Sequence, residues 1–480
     1  MSLKQKTVKG LFWVALEKVG LHLIQFVVLI FLARLLSPED FGLLGMVMIF
    51  YSLSSVILEN ILNQAILREK EILQKDLNTA FSFNILCGFL LFILIFSISP
   101  LVSAFYEDER LTVLLRILSF AVLFKAIGMV FRILLMHDLK FKKQLILVLP
   151  ANLISGVTAV ALAFNDFGFI TLAIKVVILE FLMMLFLIIF KKRKVQLQFD
   201  SSSFKRLSNF GFNLTASKII TSMRADSFNV LIGKFFSASS LGLFTQAQKL
   251  TRLFSTNVVQ SIQVVTYPAL AKIQDNDSKL KSAYRNIIIL NSLVIVPLMA
   301  ISIVVADPLI PFVLGTKWAG AVPIFQILCI GGMFYNNTLI YQNLLKIKNK
   351  MRVYLRLELI QVLFLTVALI VGLFFSLETL VILMVTARLI NTLIYINYTG
   401  TLINYSFKNQ ITDIGDIFLT SIFSLFITYG VKMLLVDYPI SSIQLTIILT
   451  FVMLIFFILL GLLFHRQKFI LIKSIIKKTP

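Results

Sequence analysis

Lys249 and Arg252 stand three residues apart in an apolar stretch, so a helix would carry both on one face. Arg224 and Asp226 lie about ten residues before the Ser237–Ser240 turn that precedes that pair, with Lys218 further back. If two antiparallel helices meet at this turn, both groups reach a similar depth, about 15 Å from it at 1.5 Å per residue. The chemistry these residue types offer is anion recognition. A guanidinium grips phosphate oxygens bidentately, and an ammonium supplies a mobile point charge. Asp226 is expected to pair with one of the cations and to leave surplus positive charge around it.

Other ionisable groups inside apolar stretches are Glu17, Lys18, Glu59, Arg116, Lys125, Arg132, Lys175 and Glu180, then Glu358, Arg388 and Lys432. With the five above, eleven are basic and five acidic. Each would cost about 2.5–3.5 kcal/mol at a bilayer centre, which makes it a functional candidate before anything else. Plainer roles also exist. Arg116, Arg132, Glu59 and Lys432 can snorkel or sit near helix ends. Glu17 can neutralise Lys18, and Glu180 can neutralise Lys175. His22 and His137 read as packing or interfacial residues, and Trp13 and Trp318 as interface anchors.

The elements holding these residues are membrane helices. Of 480 residues 59% are hydrophobic, and the mean hydropathy is +0.94. A soluble domain is about 45–50% apolar. Stretches long enough to span a bilayer fall near 10–34, 41–66, 79–105, 111–136, 144–165, 168–190, 208–235, 241–267, 284–314, 319–345, 351–375, 378–402, 415–436 and 441–465. The two around Lys218 and Lys249 are unusually polar. An all-α polytopic protein of about fourteen spans follows. The basic start resembles a signal peptide's, but Glu17 and Lys18 interrupt the apolar run and no small-x-small site follows, so the first helix is expected to be retained.

The net charge of +22 does not indicate nucleic acid, because the bases lie in short segments between apolar runs rather than along one solvated face. Alternate connections hold Arg68 and Lys70, then Lys140, Lys142 and Lys143, then Lys191–Lys194, then Lys346, Lys348 and Lys350. The intervening turns are acidic or neutral apart from Arg110 and Lys317, as in Ser37-Pro38-Glu39-Asp40 and Glu107-Asp108-Glu109-Arg110. The positive-inside rule then puts both termini in the cytoplasm. Basic ends such as 469–478 are expected to lie on the anionic inner leaflet.

The chain repeats itself. Residues 34–43 align with 234–243 at an offset of 200, and Leu115-Arg116-Ile117-Leu118 with Phe325-Gln326-Ile327-Leu328 at 210. Six spans separate the copies, so both enter the membrane in the same direction. Parallel repeats with a site between the halves typify carriers. Enzyme chemistry finds little support: there is no zinc motif, phosphate-cradling loop or dinucleotide fingerprint. Cys87 and Cys329 lie in apolar runs and read as small hydrophobes. A membrane glycosyl-transfer enzyme would need a larger external loop than any connection here supplies.

Lys9-Gly10-Leu11-Phe12-Trp13 followed by Ala33-Arg34-Leu35-Leu36-Ser37-Pro38-Glu39-Asp40-Phe41-Gly42 resembles the bacterial oligosaccharide-lipid flippases. Ile232-Gly233-Lys234-Phe235-Phe236, Leu241-Gly242-Leu243-Phe244 and Tyr267-Pro268-Ala269-Leu270 are similar to that family's second lobe. The likeness covers nearly the whole chain and is closest to colanic-acid-type lipopolysaccharide and exopolysaccharide exporters, in the superfamily that includes multidrug carriers and the lipid II flippase. The chain departs in having Ala238-Ser239-Ser240 where its first half has Pro38-Glu39-Asp40.

The resemblance implies lobes at 1–206 and 207–402, two added helices at 403–480, and a cationic central cavity. It implies alternating-access transport of an undecaprenyl-pyrophosphate-linked oligosaccharide across the inner membrane, serving polysaccharide polymerase or export machinery. The expected substrate-binding residues are Lys18, Lys218, Arg224, Lys249, Arg252 and Arg388, with Asp226 and Glu180 coupling transport to a proton or sodium gradient. No catalytic residue, metal, cofactor or nucleic acid is expected. The rival readings are a multidrug or metabolite exporter of the same architecture and, further off, the membrane glycosyl-transfer enzyme.

Overall fold

Ser37 decides where the second helix begins. Its hydroxyl accepts the Asp40 N–H at 3.2 Å, and the Asp40 carboxylate accepts the Ser37 N–H at 2.7 Å. This capping box, with Pro38 at the first helical turn, satisfies amides that a helix start leaves open. At the 200-residue offset Ser237 accepts the Ser240 N–H at 3.0 Å. The second copy keeps the cap and loses the carboxylate, so the repeat read from the sequence is also a repeat of local structure.

The structure, a computed structural model, describes residues 3–190, 193–255, 266–435, 437–464 and 468; for 3–11, 224 and 225 it describes the backbone alone. The chain divides into two compact units, Met1–Gly242 and Leu243–Pro480. In the first, the helices are α1 (Leu3–Leu35), α2 (Pro38–Asn60), α3 (Asn63–Arg68), α4 (Gln74–Tyr106), α5 (Arg110–His137), α6 (Phe141–Phe164), α7 (Ile170–Ile189) and α8 (Ser201–Phe235). Helix α9 (Ala238–Phe254) begins there and continues into the second unit. The rest are α10 (Asp277–Leu314), α11 (Ala321–Tyr335), α12 (Thr338–Ile347), α13 (Met351–Gly372), α14 (Leu377–Leu402), α15 (Phe407–Leu434) and α16 (Ser442–Phe464). No strand occurs among the described residues.

Eleven of the described helices are long and apolar enough to cross a bilayer. Three of the expected spans do not qualify, and each has its own reason. Helix α8 covers 208–235 but is too polar. The stretch near 241–267 begins as α9, and 256–265 lie outside the described residues. The stretch near 319–345 is broken at Asn336–Asn337 into α11 and α12. There the Asn337 amide is captured by α10: it accepts from Asn291 Nδ2 at 2.7 Å and donates to Ser292 Oγ at 2.9 Å. The count of fourteen therefore stays an expectation, and the all-helical, many-span class stands.

Helix α5 runs through the middle of the first unit, packing on α4, α7 and α2. Leu115, Leu118, Val122 and Val130 on it are buried. Gly88 of α4 lets α5 approach closely, since a Cβ there would come within 2.3 Å of the Ala126 Cβ. In the second unit the 38-residue α10 takes this role against α11, α15 and α16, although Pro297, Pro308 and Pro311 lie inside it. Membrane helices tolerate such prolines when neighbours compensate for the lost backbone hydrogen bonds. Trp318 corrects one expectation: it is fully buried, so it serves the packing around α10 rather than anchoring the protein at an interface.

The 210-residue offset is visible too. After α5 the chain reverses through Asp138-Leu139-Lys140, with Leu139 at φ 53, and the Lys140 N–H reaches the Leu135 carbonyl at 2.9 Å. After α12 it reverses through Lys348-Asn349-Lys350, with Asn349 at φ 55, and the Lys350 N–H reaches the Leu345 carbonyl at 2.8 Å. The backbone is copied while the side chains differ.

Candidate functional site

Helices α2, α5 and α7 bring an ion network into the interior of the first unit. Lys125 of α5 is buried, and its Nζ lies 2.8 Å from the Glu59 carboxylate of α2 and 4.0 Å from that of Glu180 on α7. Tyr51, on α2, donates its hydroxyl to Glu180 at 2.5 Å, and the Lys125 Nζ sits 5.3 Å from the Tyr51 ring centre. Two carboxylates thus share one ammonium at membrane depth. With both ionised the trio carries one negative charge, which a proton or a bound cation would cancel. A cavity of about 10 Å³ beside it, lined by Lys125, Arg132, Glu180 and methionines of α5 and α7, has room for about one water.

This geometry adds partners to the plainer roles expected for several residues. Glu59, near the end of α2 as expected, pairs with Lys125, and Arg132, in the last two turns of α5, lines the small cavity. Glu180 meets Tyr51 and Lys125, which stand across from its own helix. Glu17 is buried and accepts from Gln144 Nε2 at 3.1 Å, while Lys18 beside it on α1 is exposed. Asp226, on α8, accepts hydrogen bonds within the first unit from Ser52 at 2.6 Å and Ser222 at 3.3 Å. Tyr51 and Ser52 were not foreseen. Their adjacency to each other on a span, opposite two intramembrane acids, was the available signal.

The basic residues expected to hold an anion are arranged differently. Lys218 is exposed on α8, in the first unit, and the Arg224 side chain lies outside the described residues. Lys249 and Arg252 are exposed one turn apart on α9 in the second unit. Arg388 of α14 is half-buried, its guanidinium 5.2 Å from the Tyr335 ring of α11. Beside Lys218, the exposed residues Asn209, Asn213, Ser217 and Thr221 follow one another at four-residue spacing along α8. Such a stripe stays on one side of a helix with a slow drift. Asn213 Nδ2 donates to the Asn209 carbonyl at 3.4 Å and Thr221 Oγ1 to that of Ser217 at 3.0 Å. The polar atoms left over along the stripe, with Lys218, are served better by water than by hydrocarbon.

The loops fix the ends of these helices. Asp200 caps α8, accepting the Ser203 N–H at 2.7 Å. Hydrogen bonds from Ser202 and Ser203 pull its carboxyl down to about 2. At the opposite end, Arg110 binds Glu39 at 2.5 Å and Asp108 at 2.7 Å, and Lys234 binds Glu107 at 2.7 Å. Hydrogen bonding from Arg110 holds the Asp108 carboxyl below its ordinary value. Between these ion pairs the helix starts interlock. A Cβ on Gly42 would fall 1.6 Å from the Ala238 carbonyl oxygen, and one on Gly242 would fall 1.8 Å from that of Pro38. The two contacts exchange equivalent positions of the repeat. Among the described residues, no group of three His, Cys, Asp or Glu side chains is placed to hold a metal ion.

Known proteins share this plan. A family model described as "Polysaccharide biosynthesis protein" matches residues 31–323, more than half of the chain. The teichuronic acid biosynthesis protein TuaB of Bacillus subtilis (strain 168) is 25% identical over 334 residues, 69% of this chain and 69% of that protein. The lipopolysaccharide biosynthesis protein WzxC of Escherichia coli (strain K12) is 26% identical over 339 residues, 69% of this chain and 68% of that protein. Among solved structures, the lipid II flippase MurJ in an inward closed conformation matches with a TM-score of 0.75 and 18% identity, over 94% of this chain and 98% of that one. That likeness establishes the fold alone, an all-helical scaffold of many apolar helices.

Proposed function

Because the chain belongs to the polysaccharide biosynthesis protein family, we propose that it carries a polyprenyl-pyrophosphate-linked oligosaccharide across the inner membrane by alternating access. It is a transporter, not an enzyme. The observation that carries the reading is the exposed polar stripe of α8 with Lys218 beside it: a helix long enough to span a membrane carries a line of polar groups suited to water, with Phe210 and Ile220 exposed among them. A hydrated path suits a glycan, and bases along it suit a pyrophosphate.

In this reading the lobes are 1–206 and 207–402, the helices of 403–480 are additions, and both termini face the cytoplasm. Lys218, Arg224, Lys249 and Arg252 hold the pyrophosphate in a cationic cavity, aided by Lys18 and Arg388, and the prenyl tail stays in lipid. Charge-assisted hydrogen bonds would grip the diphosphate oxygens while leaving the sugar free to follow. Glu180 and Asp226 supply the coupling. Because the Lys125 ammonium already lies beside Glu59 and Glu180, a proton fits the network better than a sodium ion. Protonating Glu180 would weaken its hold on Lys125 and leave that cation to Glu59, a local charge change able to bias two conformations.

Single cysteines at Asn209, Asn213, Ser217 and Thr221, with Cys87 and Cys329 replaced by Ala, test the path. A membrane-impermeant thiol reagent should label all four, and a polyprenyl-pyrophosphate oligosaccharide should protect those nearest Lys218. Labelling no faster than at the lipid-facing Leu363 would reject the hydrated path.

A further inference from the structure

At the end of the first unit where α5 and α7 finish and α6 begins lies a pocket of about 250 Å³. Its floor is apolar, with Phe131, Leu147 and Leu187 all buried. Phe190, at the mouth, is exposed. The rim carries Lys140, Lys143 and Arg193 against a single acid, Asp138. Lys140 is spent, since its ammonium binds the Asp138 carboxylate, which His137 also faces at 3.5 Å. Lys142, the neighbour of Lys143, turns away to the Trp13 ring, 5.4 Å from its centre. Lys143 and Arg193 therefore leave excess positive charge over an oily floor.

The segment behind Arg193 is held in place. Gln74 donates to the Lys194 carbonyl at 2.7 Å, Asn78 accepts the Gln196 N–H at 3.1 Å, and Thr79 accepts the Asp200 N–H at 3.0 Å. The turn before Lys140 is held too, by the Lys140 N–H bonded to the Leu135 carbonyl at 2.9 Å, with Leu139 in a left-handed conformation that any residue with a Cβ adopts reluctantly. The rim is thus built, not draped. None of Lys18, Lys218, Arg224, Lys249, Arg252 or Arg388 lines the pocket.

We propose that this pocket binds an anionic phospholipid of the adjoining leaflet, with its phosphate held by Lys143 and Arg193 and its first methylenes against Phe190 and Leu187. Charge and depth select that occupant. A basic rim at the membrane edge above an apolar wall suits a headgroup that arrives already attached to its chain. At about 250 Å³ the pocket is below the usual 300–1,000 Å³ of a small-molecule site, enough for a headgroup and the start of a chain. Leu187 also lines the small cavity beside Lys125 and Glu180, so a lipid seated here presses on the ion network through one shared side chain. Anionic lipid then acts as a regulator of the coupling step.

The test reads lipid binding and not transport, so it stands or falls apart from the proposed substrate. Purified full-length chain is stripped of lipid and titrated with phosphatidylglycerol or phosphatidylcholine, counting retained lipids by native mass spectrometry. The parent should retain phosphatidylglycerol at least about tenfold better than phosphatidylcholine. Lys143→Gln with Arg193→Gln should erase that preference, Lys143→Arg should keep it, and Lys408→Gln, at an exposed position on another unit, should leave it unchanged. Equal retention of the two lipids, an unaltered preference in the double variant, or displacement by millimolar inorganic phosphate alone would each overturn the assignment.

Discussion

The two units solve the same problem, polar groups in an apolar interior, with different chemistry. In the first, the ionisable side chains of Glu59, Lys125 and Glu180 hold one another. In the second, α10 and the break between α11 and α12 are joined by neutral groups, Asn291, Ser292 and Asn337. Glu358 of α13 accepts from Gln342 at 2.7 Å and Tyr395 at 3.2 Å. The repeat offsets sharpen the contrast: Lys125 corresponds to Tyr335, and Tyr51 to Thr251. A duplicated scaffold has kept its caps and turns and changed its interiors. Neutral amide networks fix geometry, whereas a charged trio can alter its state by one proton. The first interior sets two acids on one base, the arrangement on which the proposed coupling rests, whereas the second unit's acids Glu358 and Asp413 stand apart on α13 and α15.

The largest expected effect comes from cutting that trio. Lys125→Met leaves two carboxylates facing each other and should cost about 3–5 kcal/mol of unfolding free energy in detergent, toward the low end because Glu59 is partly exposed. Adding Glu180→Gln should recover part of it. Asn337→Leu in the second unit should cost less, about 1–3 kcal/mol, since it orphans only neutral groups. Equal losses in the two units would erase the contrast.

Next come the reciprocal glycines. Gly42→Ala and Gly242→Ala each drive a methyl into a backbone carbonyl and should cost about 1–3 kcal/mol apiece. A harmless alanine at either would show that the crossing is looser than its partner.

The two reversing turns after α5 and α12 give a smaller and opposite pair. Leu139→Gly relieves a left-handed leucine and should stabilise by about 1 kcal/mol, while Asn349→Leu should destabilise by a similar amount. Thermal unfolding in one detergent compares them directly.

The smallest effect is Arg110→Ala, below about 1 kcal/mol because the pairs are partly exposed. Since the folded Asp108 carboxyl is held below its unfolded value, this contribution is complete above about pH 4 and disappears as pH falls through the lowered value. A stability difference that persisted at the acid end would assign it to packing instead.

Much of this was legible beforehand. Apolar length and the placement of bases gave the class, and Ser37 and Ser237 carried the repeat into two real caps. Glu180 was singled out as a group of interest, but its partners in the fold were not. A sequence shows neighbours along one helix, such as Lys175, and hides those on another, such as Tyr51 and Lys125. The break at Asn336–Asn337 was invisible to an apolar count, since two amides barely lower it and the hydrogen bonds from α10 decide the matter. The α8 stripe was felt only as weak hydropathy. Its four-residue spacing was present in the letters all along.

The central claim is that a lipid-linked oligosaccharide crosses the bilayer through this chain. We would reconstitute it in liposomes with a fluorescent polyprenyl-pyrophosphate oligosaccharide in both leaflets and follow the outer-leaflet fraction by quenching under a proton gradient. The account predicts transfer of intact lipid that is lost in Lys218→Ala with Arg252→Ala and uncoupled from the gradient in Glu180→Gln. Unchanged leaflet distribution with a cognate substrate, or equal transfer by all three proteins, would contradict it.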